Sequence, residues 1–139
     1  MRNMPEIIET KYGYVLELAL PFAEAVVKVK EVFLPLGFGV LSEINVQEKM
    51  REKLQKEMDG YLILGMCHPK LAAAAIDIEP NIGLLLPCNV IVRETKEGTV
   101  VAAQKPSLMS LVVGTAGVEA IAKEAEEKIL AALRELGKG

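Results

Sequence analysis

The chain has no tryptophan, one histidine and two cysteines among its 139 residues, and aromatic side chains make up only 4% of it. Each shortage removes a class of function. Binders of single-stranded nucleic acid stack bases on aromatic platforms, which this composition scarcely supplies. Positive charge is not in excess either. The net charge is −3, and Lys and Arg are interleaved with Glu, as from Lys49 to Glu57, so no basic stripe gathers phosphates. No nucleic-acid partner is expected.

Long hydrophobic runs are also missing. Although 51% of the residues are hydrophobic and the mean hydropathy is +0.29, stretches such as Leu84 to Leu86 and Val90 to Val92 are cut by proline or polar residues. They fall far short of the ~20 residues of a membrane helix, and no membrane association is expected. Met1 to Glu9 shows no apolar core before Pro5 and Glu6, so no secretory leader is readable and a cytoplasmic location is expected. Seventeen Glu stand against two Asp, with only seven Asn plus Gln. That bias occurs in thermophile proteins.

What is present is enough for one core. A chain of this length buries roughly 70% of its unfolded surface and needs no disulfide or metal to hold it together. Lys11 to Leu18 has the Tyr and Val content of a strand, and Pro21 then suits the first turn of a helix. Phe22, Val26, Val29 and Phe33 lie on one stripe of that helix, which Pro35 and Gly37 end. Phe38, Val40, Ser42, Ile44 and Val46 alternate with their neighbours as in a strand. Asn45 is placed to cap a second helix, on which Val46, Met50, Leu54 and Met58 recur every fourth residue.

Tyr61 to Cys67 reads as a buried strand, and His68-Pro69 opens a third helix that Glu79-Pro80 closes. Gly83 to Glu94 and Thr99 to Lys105 read as a hairpin turning at Lys96-Glu97-Gly98, with Pro87 at an edge or bulge. Beyond Pro106 a short helical turn is expected. Val118, Ile121, Ala122, Ala125, Ile129, Ala132, Leu133 and Leu136 then share one face of a last helix over 117–136. With no repeat or linker, 1–139 reads as a single domain. The order βαβαβαββα predicts an α+β fold, with one mixed sheet of about five strands covered by helices.

Candidate chemistry gathers at Cys67-His68-Pro69 and Pro87-Cys88-Asn89. If their strands are neighbours, these two places meet. Cys67 would then stand just before a helix N-terminus, a setting that lowers a thiol pKa toward ~7. Both cysteines are equally at home as small core residues. Cys67, His68 and Cys88 are the soft ligands available to a metal, with Glu79 or Glu43 as oxygen donors, but no CxxC or HxxxH spacing supports a closed site. No cofactor motif is present, because the glycines form neither GxGxxG nor a P-loop. Glu43, Lys53, Glu79 and Asn89 complete the candidate binding set, as polar residues able to line a pocket near the cysteines.

The segments Gly37-Phe38-Gly39-Val40, Glu43-Ile44, Tyr61 to Pro69 and Ile82 to Val90 resemble the domain-of-unknown-function family 302, most specifically over Gly83 to Val92. The resemblance covers about 11–106. It implies a compact α+β fold and a homodimer, and brings no established activity. The family pattern has Cys-Asn-Pro where this chain has Cys67-His68-Pro69, so it assigns His68 no role. Three readings stay open: a homodimeric binding or sensing module with a small-molecule pocket near Cys67 and Cys88; a thiol-dependent redox enzyme or metal-binding protein using the same residues; and a structural dimer without a ligand.

Overall fold

Strand β2 (Gly13–Leu18) buries Tyr14, Leu16 and Leu18 and turns Val15 and Glu17 the other way, the period of a pleated strand with one face on a core. A computed structural model describes residues 5–138 and shows how the rest of the chain builds on that face. Strand β1 (Ile8–Glu9) precedes β2, and helix α1 (Phe22–Phe33) follows it. Its buried residues, Ala25, Val29 and Phe33, lie four apart along one side. A 3-10 turn at Leu34–Leu36 ends on Gly37, whose φ of 92° is the left-handed conformation that glycine adopts without penalty.

Strand β3 (Gly39–Asn45), helix α2 (Val46–Leu54) and strand β4 (Tyr61–Cys67) follow. Asn45 caps α2 as expected, its side chain accepting the Glu48 N–H at 3.0 Å. The apolar stripe of α2, however, is not buried. The helix stops at Gln55, short of Met58, and Leu54 is 65% exposed. Helix α3 (Pro69–Ile78) leads into a second 3-10 segment (Pro80–Leu85), then β5 (Cys88–Thr95), β6 (Gly98–Gln104), α4 (Pro106–Val113) and α5 (Ala116–Gly137).

The α+β class stands, and the sheet has six strands in the order β1-β2-β6-β5-β4-β3. It is not mixed among the described residues: every adjacent pair is antiparallel. Helical periodicity shows that a helix intervenes but not in which direction the chain returns. Here α2 joins the antiparallel neighbours β3 and β4, and α3 joins β4 and β5; only the β2-α1-β3 link carries the chain across the sheet.

Residues 83–86 also differ from the expected strand. Pro80 opens a 3-10 segment, and Pro87, which has no N–H to donate, lies just outside β5. One sheet face carries the main core, in which Leu16, Leu64, Val90, Val92 and Val101 meet Phe33 of α1 and Ile129 and Leu133 of α5. Burying each of these side chains contributes roughly 1.5–3 kcal/mol. A second cluster joins Ala75, Ile82 and Met109 to Val118 and Ala122, so α5 runs through both.

Candidate functional site

Between the two clusters lies a cavity of about 300 Å³. Leu71, Ala72, Ala75 and Ile76 of α3 form one wall because they share a helical face, and the two alanines leave the space that longer side chains would fill. Met109 of α4 with Ile121 and Ala125 of α5 close the back, while Gly83, Leu86 and Pro87 form the opposite wall. Met66, Cys67 and Cys88 come from the ends of β4 and β5. The lining is almost wholly carbon and sulfur.

Phe38, Leu41 and His68 complete the lining. Leu41 is present because the alternation expected for β3 is broken: Val40 pairs with Met66 and Ser42 with Gly65, so Leu41 is the extra residue of a β-bulge. Bulges re-aim side chains in this way beside binding sites.

His68 caps α3, its Nδ1 accepting the Leu71 N–H at 3.3 Å. Its ring also meets Phe38 edge-on, with centroids 5.5 Å apart. That role occupies one ring nitrogen and satisfies an otherwise orphan amide of the helix. It also bears on Cys67. Burial pushes the Cys67 thiol above its ordinary value, and burial together with the nearby Cys67 pushes Cys88 up to about 11. A thiolate favoured by the helix N-terminus is therefore not what the geometry provides: Pro69 has no N–H, Leu71 gives its own to His68, and desolvation penalises the charged sulfur.

Of the sequence-derived candidates, Cys67, His68 and Cys88 are brought together at the cavity. The others lie elsewhere. Glu43 is exposed and pairs with Lys30 at 3.2 Å. Lys53 lies on the exposed side of α2, and Glu79 forms the C-cap of α3 through its backbone. Asn89 faces away from the core, paired with Gly65, and its N–H donates to Gln104 Oε1 at 3.0 Å. No group of three His, Cys, Asp or Glu side chains able to hold a metal occurs among the described residues.

The apolar walls were missed by a search for polar and soft ligands. Their only trace in the sequence is the run of small residues Ala72 to Ala75 beside Gly83. A polar cluster toward the β1-β2 edge of the sheet was missed as well. Tyr14 is pushed up to about 12 by burial, by its side-chain interaction with Glu126 and by the charges of Glu126 and Glu9. Lys105 stands 5.4 Å from the centre of the Tyr14 ring and pairs with Glu9. Glu126 also accepts the Ser107 N–H at 3.1 Å, tying α5 to the start of α4.

The profile of the family described as Domain of unknown function DUF302 matches residues 14–136, a span that runs through α5. A solved structure, that of an uncharacterized conserved protein DUF302 from Bacillus stearothermophilus, is 25% identical to this chain and has a TM-score of 0.84. The match covers 92% of this chain and 99% of that one. Among curated proteins, none matches. No helix among the described residues is long and apolar enough to cross a membrane.

Proposed function

Given that the chain belongs to the family described as Domain of unknown function DUF302, whose description carries no activity, we propose on its geometry that the protein is a binding module. Its ligand is a small apolar molecule held between α3, α5 and the adjoining ends of β4 and β5. The observation that carries this reading is the cavity itself. At about 300 Å³ it is at the lower end of ordinary ligand pockets, and about twice the ~150 Å³ of an apolar cavity that stays dry and binds benzene. An apolar concavity of this size leaves carbon surface in contact with water, and an occupant removes that surface from it.

Cys67 and Cys88 then serve as soft, polarizable wall atoms. Thiol-dependent redox chemistry and metal binding draw less support: both thiols favour their neutral form, and His68 is committed to the helix cap. In this reading 1–139 forms one domain, supported by the run of α5 through both apolar clusters, and the protein works as a cytoplasmic homodimer.

The test is binding of naphthalene, followed by its fluorescence and by thermal shift. Wild type should bind and be stabilised. Ala72→Phe fills the cavity from α3, and Gly83→Leu, at a position where an added Cβ meets nothing within 4 Å, fills it from the other wall. Both should lose binding while remaining folded. Undiminished binding by both variants would overturn the reading.

A further inference from the structure

The sheet has a second face, opposite the one that carries the core. The register places Ile8, Val15, Ala102, Ile91, Ile63 and Ile44 side by side across all six strands. This forms one unbroken apolar row. Its two ends are exposed, Ile8 at 49% and Ile44 at 46%, and its middle is half-buried. A shallow groove lies along it. Next to this row the same register places Glu17, Val100, Arg93 and Tyr61 in sequence across β2, β6, β5 and β4. Glu17 and Arg93 are both exposed, and neither makes an ion pair among the described residues.

We propose that this face is the contact between two copies of the chain, packed sheet to sheet about a two-fold axis that runs along β6. The charges choose both the partner and the axis. A rotation about β6 exchanges β2 with β5, so Glu17 of each copy comes opposite Arg93 of the other, and Val15 comes opposite Ile91. On the axis itself lie Val100, already buried at 6% exposure, and the half-buried Ala102, both uncharged, so no like charges collide. A patch that is complementary to itself under a two-fold rotation is what an isologous dimer requires.

The size is consistent. Under this axis β1, β2, β6, β5 and β4 of the two copies overlap; five strands at ~4.8 Å spacing and about six residues at ~3.4 Å give a platform of roughly 20 by 20 Å, or about 400 Å² in projection before side-chain relief is counted. A standard interface takes about 800 Å² of accessible surface from each partner, so the whole of the overlap is used while β3 stays outside it, and strands of the two sheets run close to aligned. The inference rests on the homodimer of the proposed function and adds its surface.

The test is a charge-reversal cycle read by sedimentation equilibrium, with circular dichroism confirming the fold. Wild type should be a dimer. Glu17→Arg sets Arg against Arg93, and Arg93→Glu sets Glu against Glu17, so each should weaken dimerisation roughly tenfold or more. The double variant restores opposite charges and should recover the wild-type dissociation constant. A wild-type monomer would overturn both this surface and the homodimer. A dimer indifferent to the single reversals, or one the double variant does not recover, would overturn the surface alone. Ala72→Phe, which probes the cavity, should leave dimerisation unchanged, so the ligand reading is tested separately.

Discussion

Cys88 is paired with Met66 across β5 and β4, and the pleat therefore puts both on the helix-covered side of the sheet, while Cys67, one residue further on, is paired with Gly39. Two thiols on successive positions of the pleat are not a directly opposed cross-strand pair, the arrangement most readily closed by a disulfide. Their chemistry is set by burial instead. With its thiol pushed up to about 11 from 9.0, Cys88 should react with iodoacetamide at pH 8 roughly a hundredfold more slowly than an unperturbed thiol. The folded state holds this proton longer than the unfolded chain, so stability is full below about pH 9 and falls as pH rises toward about 11. Urea unfolding at pH 8 and pH 11 should show a larger loss for wild type than for Cys88→Ala. Equal losses, with rapid alkylation at pH 8, would place the sulfur in water.

The cap on α3 gives a second prediction. His68 Nδ1 is the acceptor for the Leu71 N–H, and alanine offers none. His68→Ala should cost about 1 kcal/mol in urea unfolding, from the lost cap and the lost edge contact with Phe38. Asparagine is a strong N-cap in its own right. His68→Asn should therefore stay within about 0.5 kcal/mol of wild type, and a loss equal to that of alanine would show that the imidazole does more than cap.

These two sites show where the sequence was legible. The β5-β6 hairpin and α5 could be read because their signals are local: Gly98 with a φ of 147° closes the turn, and Val118 to Leu136 repeat on one helical face. His68 as a helix-start residue was legible for the same reason. The antiparallel return through α2 and α3 was not, since it depends on which strands lie side by side. Nor was the bulge at Leu41, because one extra residue leaves the pattern of Val40, Ser42 and Ile44 intact in sequence while moving their side chains to different faces. The cavity was hidden more deeply. Ala72, Ala75 and Met109 look like any core residues, and only their arrangement leaves a space.

Gly65 supports the cavity wall from behind. A Cβ there would collide with Ser42 Oγ and lie 2.8 Å from Pro87 Cγ, so the glycine lets Pro87 close against β4. Gly65→Ala should destabilise the fold by roughly 1–3 kcal/mol, as overpacked sites do. Removing the first obstruction with Ser42→Gly should recover part of that loss, and an additive double variant would show that the two residues do not share the contact.

The polar cluster toward the β1-β2 edge of the sheet makes the last prediction. Glu126 accepts the Ser107 N–H and interacts with the Tyr14 hydroxyl, while Glu9 and Lys105 stand against the same ring. Glu126→Ala removes the Ser107 hydrogen bond together with the interaction with Tyr14 and should cost about 2 kcal/mol, whereas Tyr14→Phe removes only the latter and should cost about 1 kcal/mol. Their pH dependence separates this cluster from Cys88. Tyr14 keeps its proton to about pH 12 when folded and loses it near 10 when unfolded, so its contribution is complete below pH 10 and is lost as pH rises through 12. Urea unfolding of Tyr14→Phe should therefore lose less stability than wild type between pH 10 and 12. A parallel decline in the two proteins would mean that the phenol ionises equally in both states and that Glu126 holds α4 alone.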